Sequence, residues 1–298
     1  MSKIVQTNRQ LTLTYSWSTN NHGICGHTFE VIDYYMILKN QYDTEILLCE
    51  DISWSTFEKA IRSKYDFDEA EIQDIKVNTR FENRPRLIKG NNIIFTDGGI
   101  VNTENVILIF DNIFYFACGN KEIQDNNKDN VYILQDDRIY DSVLKNGINY
   151  KKKILFSRLK KPQAPKDNIL LYATKNCRAI GDEYYKMLSK NLPCDNILCL
   201  VNEIPLEKYS NITFKLLPYN NLIEEFNTYI YTPVARKFDC SPRFIAECHY
   251  FSKTVVYDVD YWLEDKGLFW RRYDIENNFS SIQLNQNDEI VNILKERI

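Results

Sequence analysis

Apolar and polar residues first alternate along this chain. Leu11-Thr12-Leu13-Thr14-Tyr15-Ser16-Trp17 places an apolar side chain at every second position, the period of a strand. Through Phe29–Asn40 the spacing lengthens, and Phe29, Ile32, Tyr35 or Met36 and Leu38 share one face of a helix. Thr44–Cys49 returns to a strand. Strand, loop, helix and strand in that order open a parallel α/β sheet, because parallel neighbours need a long crossover. The loop between them, TNNHGICGHT, carries Gly23 and Gly26, where a backbone can approach a substrate closely. Asn92–Thr96, Val106–Phe110 and Val131–Leu134 read as further strands, with Ile113–Ala117 another candidate and Asp125–Asn130 a polar loop.

After a basic stretch at Tyr150–Lys153 and a Lys/Pro segment at Lys160–Lys166, which reads as a linker, the pattern restarts. Asn168–Ala173, Ile197–Val201 and Thr213–Leu216 are predicted strands, Asp182–Ser189 a helix and Asn221–Phe226 a short one. Tyr229–Tyr231 is the next strand. Ser241 is then a good N-cap, with Pro242 at the first helical position. Phe244, Ile245, Cys248 and Phe251 form the inward stripe of that helix, and Val255–Tyr257 is a strand after it. Asp288–Ile298 closes the chain as a helix with acids first and bases last, as the helix dipole prefers. The fold class expected is α/β, built as two Rossmann-like lobes, 1–160 and 161–298, with an interdomain cleft.

Composition narrows the function classes. The chain has 298 residues, 26% of them charged, and a formal net charge of −4, which gives no general attraction to nucleic acid or anionic membrane. No apolar run approaches a membrane span, and the N-terminal MSKIVQTNRQ has no apolar signal core, so the expected location is the cytoplasm. Eight cysteines are scattered; only Cys194 and Cys199 are close, at a spacing unlike a zinc knuckle. They read as reduced apolar fillers. GxGxxG, GxSxG, Walker and kinase signatures are absent.

The charges around the helix after Tyr231 need a reason. Arg236, Lys237 and Arg243 crowd its positive end, where cations are disfavoured. Arg243 and Glu247 are four apart, in the weaker Arg-before-Glu order. Either they form a solvated surface pair, or guanidinium groups and backbone N–H groups converge there on an anionic ligand.

The run PRFIAECHYFSKTVVYD resembles the donor-binding motif of GT-B glycosyltransferases, a helix carrying Glu-Ala and a small residue, followed by a strand. Cys248 stands where that family has alanine, and Ser252 where it has the glycine before the strand. The resemblance implies a nucleotide-sugar co-substrate, a uridine diphosphate sugar, bound by the second lobe without a required metal. It implies that Glu247 binds the ribose hydroxyls and that Ser241–Arg243 meets the diphosphate. Lys175 and Arg178, in the loop after the first strand of the second lobe, and Arg236 would offset the charge of the leaving diphosphate. The first lobe would present an acceptor hydroxyl at the Gly23 and Gly26 loop, and the terminal helix would cross back to it.

His22 and His27 flank that loop, and either could act as general base. Asp137, in the Asp136-Asp137-Arg138 cluster, and Asp97 are acidic rivals, with Asp137 preferred. Asp258-Val259-Asp260 matches a metal-binding DxD, but it lies too close to the end of the chain for a GT-A enzyme. An Asn-, Ile-, Lys- and Tyr-rich composition is what AT-rich genomes encode, many bacteriophages included. One acceptor to expect is therefore a hydroxymethylated DNA base, met through Arg80, Arg84, Arg86 and Lys89; a cell-surface glycan or another small acceptor is the competing case. The alternative class is a nucleotide- or nucleic-acid-binding protein of the same fold without catalysis.

Overall fold

The computed structural model describes residues 4–16, 24, 26–49, 52–82, 87–96, 102–103, 106–109, 131–134, 148–151, 157–163, 166–172, 181–192, 196–216, 222–231, 243–257 and 288–295. The chain divides into two compact units, Met1–Lys160 with Ile282–Ile298, and Lys161–Ser281. Each carries a large parallel sheet.

The first unit holds strands β1 (Ile4–Gln6), β2 (Leu11–Ser16), β3 (Thr44–Leu48), β4 (Thr79–Phe81), β5 (Leu87–Lys89), β6 (Asn92–Thr96), β7 (Asn102–Thr103), β8 (Val106–Ile109), β9 (Val131–Leu134) and β10 (Ile148–Lys151). Its helices include α1 (Gly26–Leu38), α2 (Trp54–Lys64) and α3 (Glu69–Val77). Seven strands form one sheet in the order β10-β9-β8-β6-β2-β3-β4, and β1, β5 and β7 form a small second one. From β2 the chain steps outward to β3 and β4, then returns to the other side of β2 and continues outward from β6. That reversal between β2 and β6 is the switch point of a doubly wound sheet.

One face of the large sheet packs under α1, which contacts β2, β3 and β6. Phe95 meets Tyr34 of α1 edge-on at 5.0 Å, and Tyr15, in register with Phe95, shares its face. The helix is wider in its burial than a single stripe: Thr28, Glu30 and Asp33 are buried along with Val31, Ile32, Tyr34, Tyr35 and Leu38. The other face explains why a strand buried on both sides still alternates. Thr12 donates to the buried Glu45 at 3.1 Å, and Thr14 donates to Asn92 at 3.3 Å. Asn92 in turn donates to the Gly90 carbonyl at 2.7 Å. These polar side chains are paired with one another, so their burial does not strand a donor.

Two helices absent from the expectations fill the crossover between β3 and β4. Ser53 caps α2 by accepting from Thr56 N–H, and Phe57 and Ile61 are its buried positions. Asp68 and Glu71 form a reciprocal capping box at α3, whose Ile72 and Ile75 are buried. Asp74 then ties α3 to α1. Its Oδ2 accepts from Lys39 at 2.7 Å and from Tyr35 at 3.1 Å, and its Oδ1 accepts from Asn78 at 3.1 Å. Burial, with Asp74 beside it, pushes the Tyr35 phenol well above its ordinary pKa. Asp74→Ala removes these acceptors at once and is expected to cost about 1–3 kcal/mol, read as a lower urea midpoint with an unchanged slope.

The second unit begins its sheet at β11 (Ile169–Tyr172) and continues through α4 (Asp182–Asn191), β12 (Ile197–Val201), β13 (Ile212–Leu216), β14 (Thr228–Tyr231), α5 (Arg243–Tyr250) and β15 (Thr254–Tyr257). The order is β13-β12-β11-β14-β15, all parallel. This repeats the winding of the first sheet, with the reversal between β11 and β14. Tyr184, Tyr185 and Leu188 of α4 pack with Leu171, Ile197, Cys199, Val201 and Ile230. Phe244 of α5 lies against Tyr229 at 5.1 Å, edge to face. Tyr229 and Ile230 point to opposite faces of β14, so the two helices cover opposite faces, as right-handed crossovers on either side of a switch point require. The expected α/β class with two Rossmann-like parallel sheets is what the chain forms. A last helix, α6 (Asp288–Lys295), groups with the first unit and buries Val291 and Leu294.

The Lys/Pro segment is anchored at each end. Ser157 N–H and hydroxyl both donate to Asp33 at 2.7 Å, and Lys160 N–H donates to the Lys64 carbonyl at 2.8 Å. Lys166 N–H donates to the Glu224 carbonyl at 2.8 Å. Cys49, Cys199 and Cys248 are buried and take part in no disulfide.

Candidate functional site

In open α/β sheets, ligands bind beyond the carboxyl ends of the strands at the switch point. In the second unit those ends are level: Leu171 of β11 pairs with Ile230 of β14, and the strands stop at Tyr172 and Tyr231. The chain leaves both strands there. It re-enters the described residues at Arg243, which opens α5, and α5 runs back to β15 beside β14.

Helix α5 is short, and its burial is unusual. Ile245, Ala246 and Cys248 are fully buried, as an inward stripe demands, yet Arg243 and Glu247 are buried too. Arg243 Nε donates to Glu247 Oε1 at 2.8 Å, with the two side chains 6% and 5% exposed. The spacing alone allows a solvated pair or a ligand-directed one. The pair forms, but inside the protein. Phe244 is half-buried, joining Phe226 at 5.8 Å and Tyr229 at 5.1 Å in an aromatic cluster.

The end of α5 turns at Ser252. Ser252 has φ 56°, in the left-handed region. Its N–H donates to the His249 carbonyl at 3.0 Å, and Lys253 N–H donates to the Cys248 carbonyl at 2.8 Å. These two bonds are a Schellman motif, in which the left-handed residue is ordinarily glycine. Ser252→Gly relieves the strain of a side chain at that φ, less the entropy that glycine loses on folding. The expected gain is about 0.5–1 kcal/mol, read as a raised melting temperature. Lys253 then locks the turn from beneath: it is buried, donates from Nζ to the Phe226 carbonyl, and stands 4.7 Å from the centre of the Phe226 ring. Burial holds its pKa below the ordinary lysine value, and burial likewise lowers that of His249.

In the first unit, the switch-point strands β2 and β6 also end together, with Ser16 in register with Thr96. Gly26 is the first residue of α1 and is exposed; His27 follows it in the helix, and its side chain lies outside the described residues. Asp97 follows the last residue of β6, the strand next to β2. The strand ahead of Asp137, β9, is three places from β2, about 14 Å at ordinary strand spacing.

His22, Gly23, Asp137, Lys175, Arg178, Arg236 and Ser241 lie outside the described residues, as do Asp97, Arg84, Arg86 and Asp258–Asp260. Among the expected donor-site residues, the structure describes both Arg243 and Glu247 and joins them. Arg80 is described as well, and it is engaged: it donates to Glu45 at 3.2 Å and to the Gln6 carbonyl at 3.3 Å. The sequence reading passes over the buried acids Glu30 and Asp33, within two turns of His27 on α1. A charged residue inside an otherwise apolar helix is the signal that marks them.

No helix among the described residues is long and apolar enough to cross a membrane. No family profile and no curated protein matches this chain. Among solved structures, the crystal structure of Acinetobacter baumannii MurG aligns with 96% of this chain and 89% of its own, at 11% identity and a TM-score of 0.37.

Proposed function

We propose that this protein is a glycosyltransferase that moves a hexosyl or pentosyl group from a nucleoside-diphosphate donor to an acceptor hydroxyl. The observation that carries the proposal is the β14–α5–β15 unit. It stands beside the switch point of a doubly wound parallel sheet and bears Glu247 where the GT-B donor motif has its ribose-binding acid. In this reading Glu247 takes the ribose hydroxyls. Because Arg243 is committed to Glu247, the diphosphate falls to Lys175, Arg178, Arg236 and the backbone at Ser241.

The acceptor oxygen attacks the anomeric carbon as the bond to the diphosphate breaks. The acceptor proton passes to a base that follows β2 or β6 in the chain, His22, His27 or Asp97, with Asp137 as the rival. The departing diphosphate keeps the electron pair, and its charge is matched by the surrounding cations. Arg80's engagement with Glu45 removes one cation from the cluster that duplex DNA would need, which favours a glycan acceptor over a DNA base.

Calorimetric titration with uridine and guanosine diphosphates tests the donor assignment. Saturable binding of one of them supports it, and binding of neither overturns it. Slow release of free sugar from the matching nucleotide-sugar then separates a transferase from a protein that only binds.

A further inference from the structure

We propose that the surface of the second unit bearing Ile204, Leu206 and Leu216 is a docking site for a basic, amphipathic segment of a partner protein.

The apolar part follows from how β12 reaches β13. Parallel neighbours are ordinarily joined through a helix that packs back on the sheet. The connection 202–211 contains none. It is pinned instead by Tyr209, whose hydroxyl donates to the Glu207 carboxylate at 2.6 Å and lies 3.1 Å from the Asp182 carbonyl at the start of α4. Ile212, Phe214 and Leu216 share one face of β13. Ile212 and Phe214 meet α4 and Tyr209 in the core. Leu216, level with Val201 at the ends of the two strands, lies past that cover and is 52% exposed. Ile204, three residues beyond Val201, is 46% exposed, and Leu206 is fully so. These are three of the five large apolar side chains that stand exposed among the described residues. A single exposed leucine is ordinary, but a group gathered on one connection and the strand it leads to marks a contact surface.

The charges select the occupant. Asp182, Glu183, Glu203 and Glu207 are exposed along the same connection and the first turn of α4, against Lys186 and Lys208. Their fields overlap at Tyr209. The hydrogen bond to Glu207, burial, and the negative charge of Glu207 and Asp182 push that phenol up to about 12. A second copy docked about a twofold axis would set these acids against their own counterparts. Anionic headgroups and nucleic-acid phosphates meet the same repulsion. A segment carrying lysine or arginine beside apolar anchors satisfies both halves of the surface, with its anchors on Leu206 and its neighbours and its cations on the acids.

The test is calorimetric titration of the full-length protein with an amphipathic peptide of leucine and lysine, and with its leucine–glutamate counterpart. The lysine peptide is expected to bind saturably at one site, more weakly as salt is raised, and the glutamate peptide not to bind. Leu206→Ser, and separately Glu203→Lys combined with Glu183→Gln, each weaken binding by about tenfold or more. All three positions are exposed, so melting temperatures close to wild type are expected alongside the loss. Absence of binding by the wild type overturns the proposal, as does equal binding of the glutamate peptide, or binding that either variant leaves unchanged. Self-association of the wild type that Leu206→Ser abolishes in sedimentation would give the surface to a second copy. Phosphatidylglycerol vesicles that capture the wild type but not the serine variant would give it to a membrane. Either result also overturns it.

Discussion

Glu247→Ala is expected to weaken uridine diphosphate binding by about ten- to hundredfold and to destabilise the fold by about 3–5 kcal/mol. The two effects have separate causes. On the proposed donor reading, the first is loss of an acceptor for the ribose. The second is that Arg243, 6% exposed, would lose in a buried setting the carboxylate to which its Nε donates at 2.8 Å. Glu247→Gln separates them, because the amide keeps the shape and one acceptor but removes the charge. It should bind more tightly than the alanine variant and melt between it and wild type. Calorimetry and thermal melting on the same preparations read both quantities. A Glu247→Ala protein with wild-type affinity for uridine diphosphate would remove this residue from the donor site.

Gly90→Ala is expected to lower stability by about 3 kcal/mol, through a conformation that only glycine adopts freely and a collision that cannot relax. Gly90 has φ 121°, where a side chain is strained whatever the space around it. A Cβ there would stand 2.1 Å from Thr7 Oγ1 and 3.2 Å from the Thr7 carbonyl oxygen. Thr7 cannot turn away cheaply. Its hydroxyl donates to the Lys89 carbonyl at 2.7 Å, and its N–H donates to the same carbonyl at 3.0 Å. The strain therefore spreads into the β1–β5 pairing and the Asn92 bond to the Gly90 carbonyl. A melting temperature lower by roughly 6–12 °C is the readout, taking a few degrees per kcal/mol for a unit of this size. An unchanged melting temperature would mean that Thr7 and Gly90 are not held together as described.

Much of the α/β framework is visible in the amino-acid pattern because the central strands are buried on both faces. Ile197–Val201, buried at every position, is a short apolar run that stops where the strand stops. What escapes notice is physically different. β1, β5 and β7 are two or three residues long, too short for any periodicity, and exist because neighbouring segments pair with them. α2 and α3 carry readable start signals, Ser53 before Trp54 and the Asp68–Glu71 box, which outweigh their modest apolar spacing. The polar face of β2 cannot be foreseen. Alternating Leu and Thr reads equally well as a solvated strand, and only Glu45 and Asn92 on neighbouring strands show that the threonines are sequestered. At the candidate site, spacing announces the Arg243–Glu247 pair. Its burial depends on the packing around α5, which no local pattern encodes. Ser252 is the opposite case: a residue out of place in the motif marks a left-handed turn that the structure then displays.

Because α6 groups with the first unit while Lys161–Ser281 forms the second, synthesis delivers the two in an uneven order. A ribosome has released every residue of the inserted unit before the segment that buries Val291 and Leu294 emerges. The first unit must therefore wait, with that apolar seat unfilled, until Asp288–Lys295 leaves the exit tunnel. Nascent chains in which residue 281 has emerged from the tunnel and Asp288–Lys295 has not are the stage at which that seat stands open to chaperones.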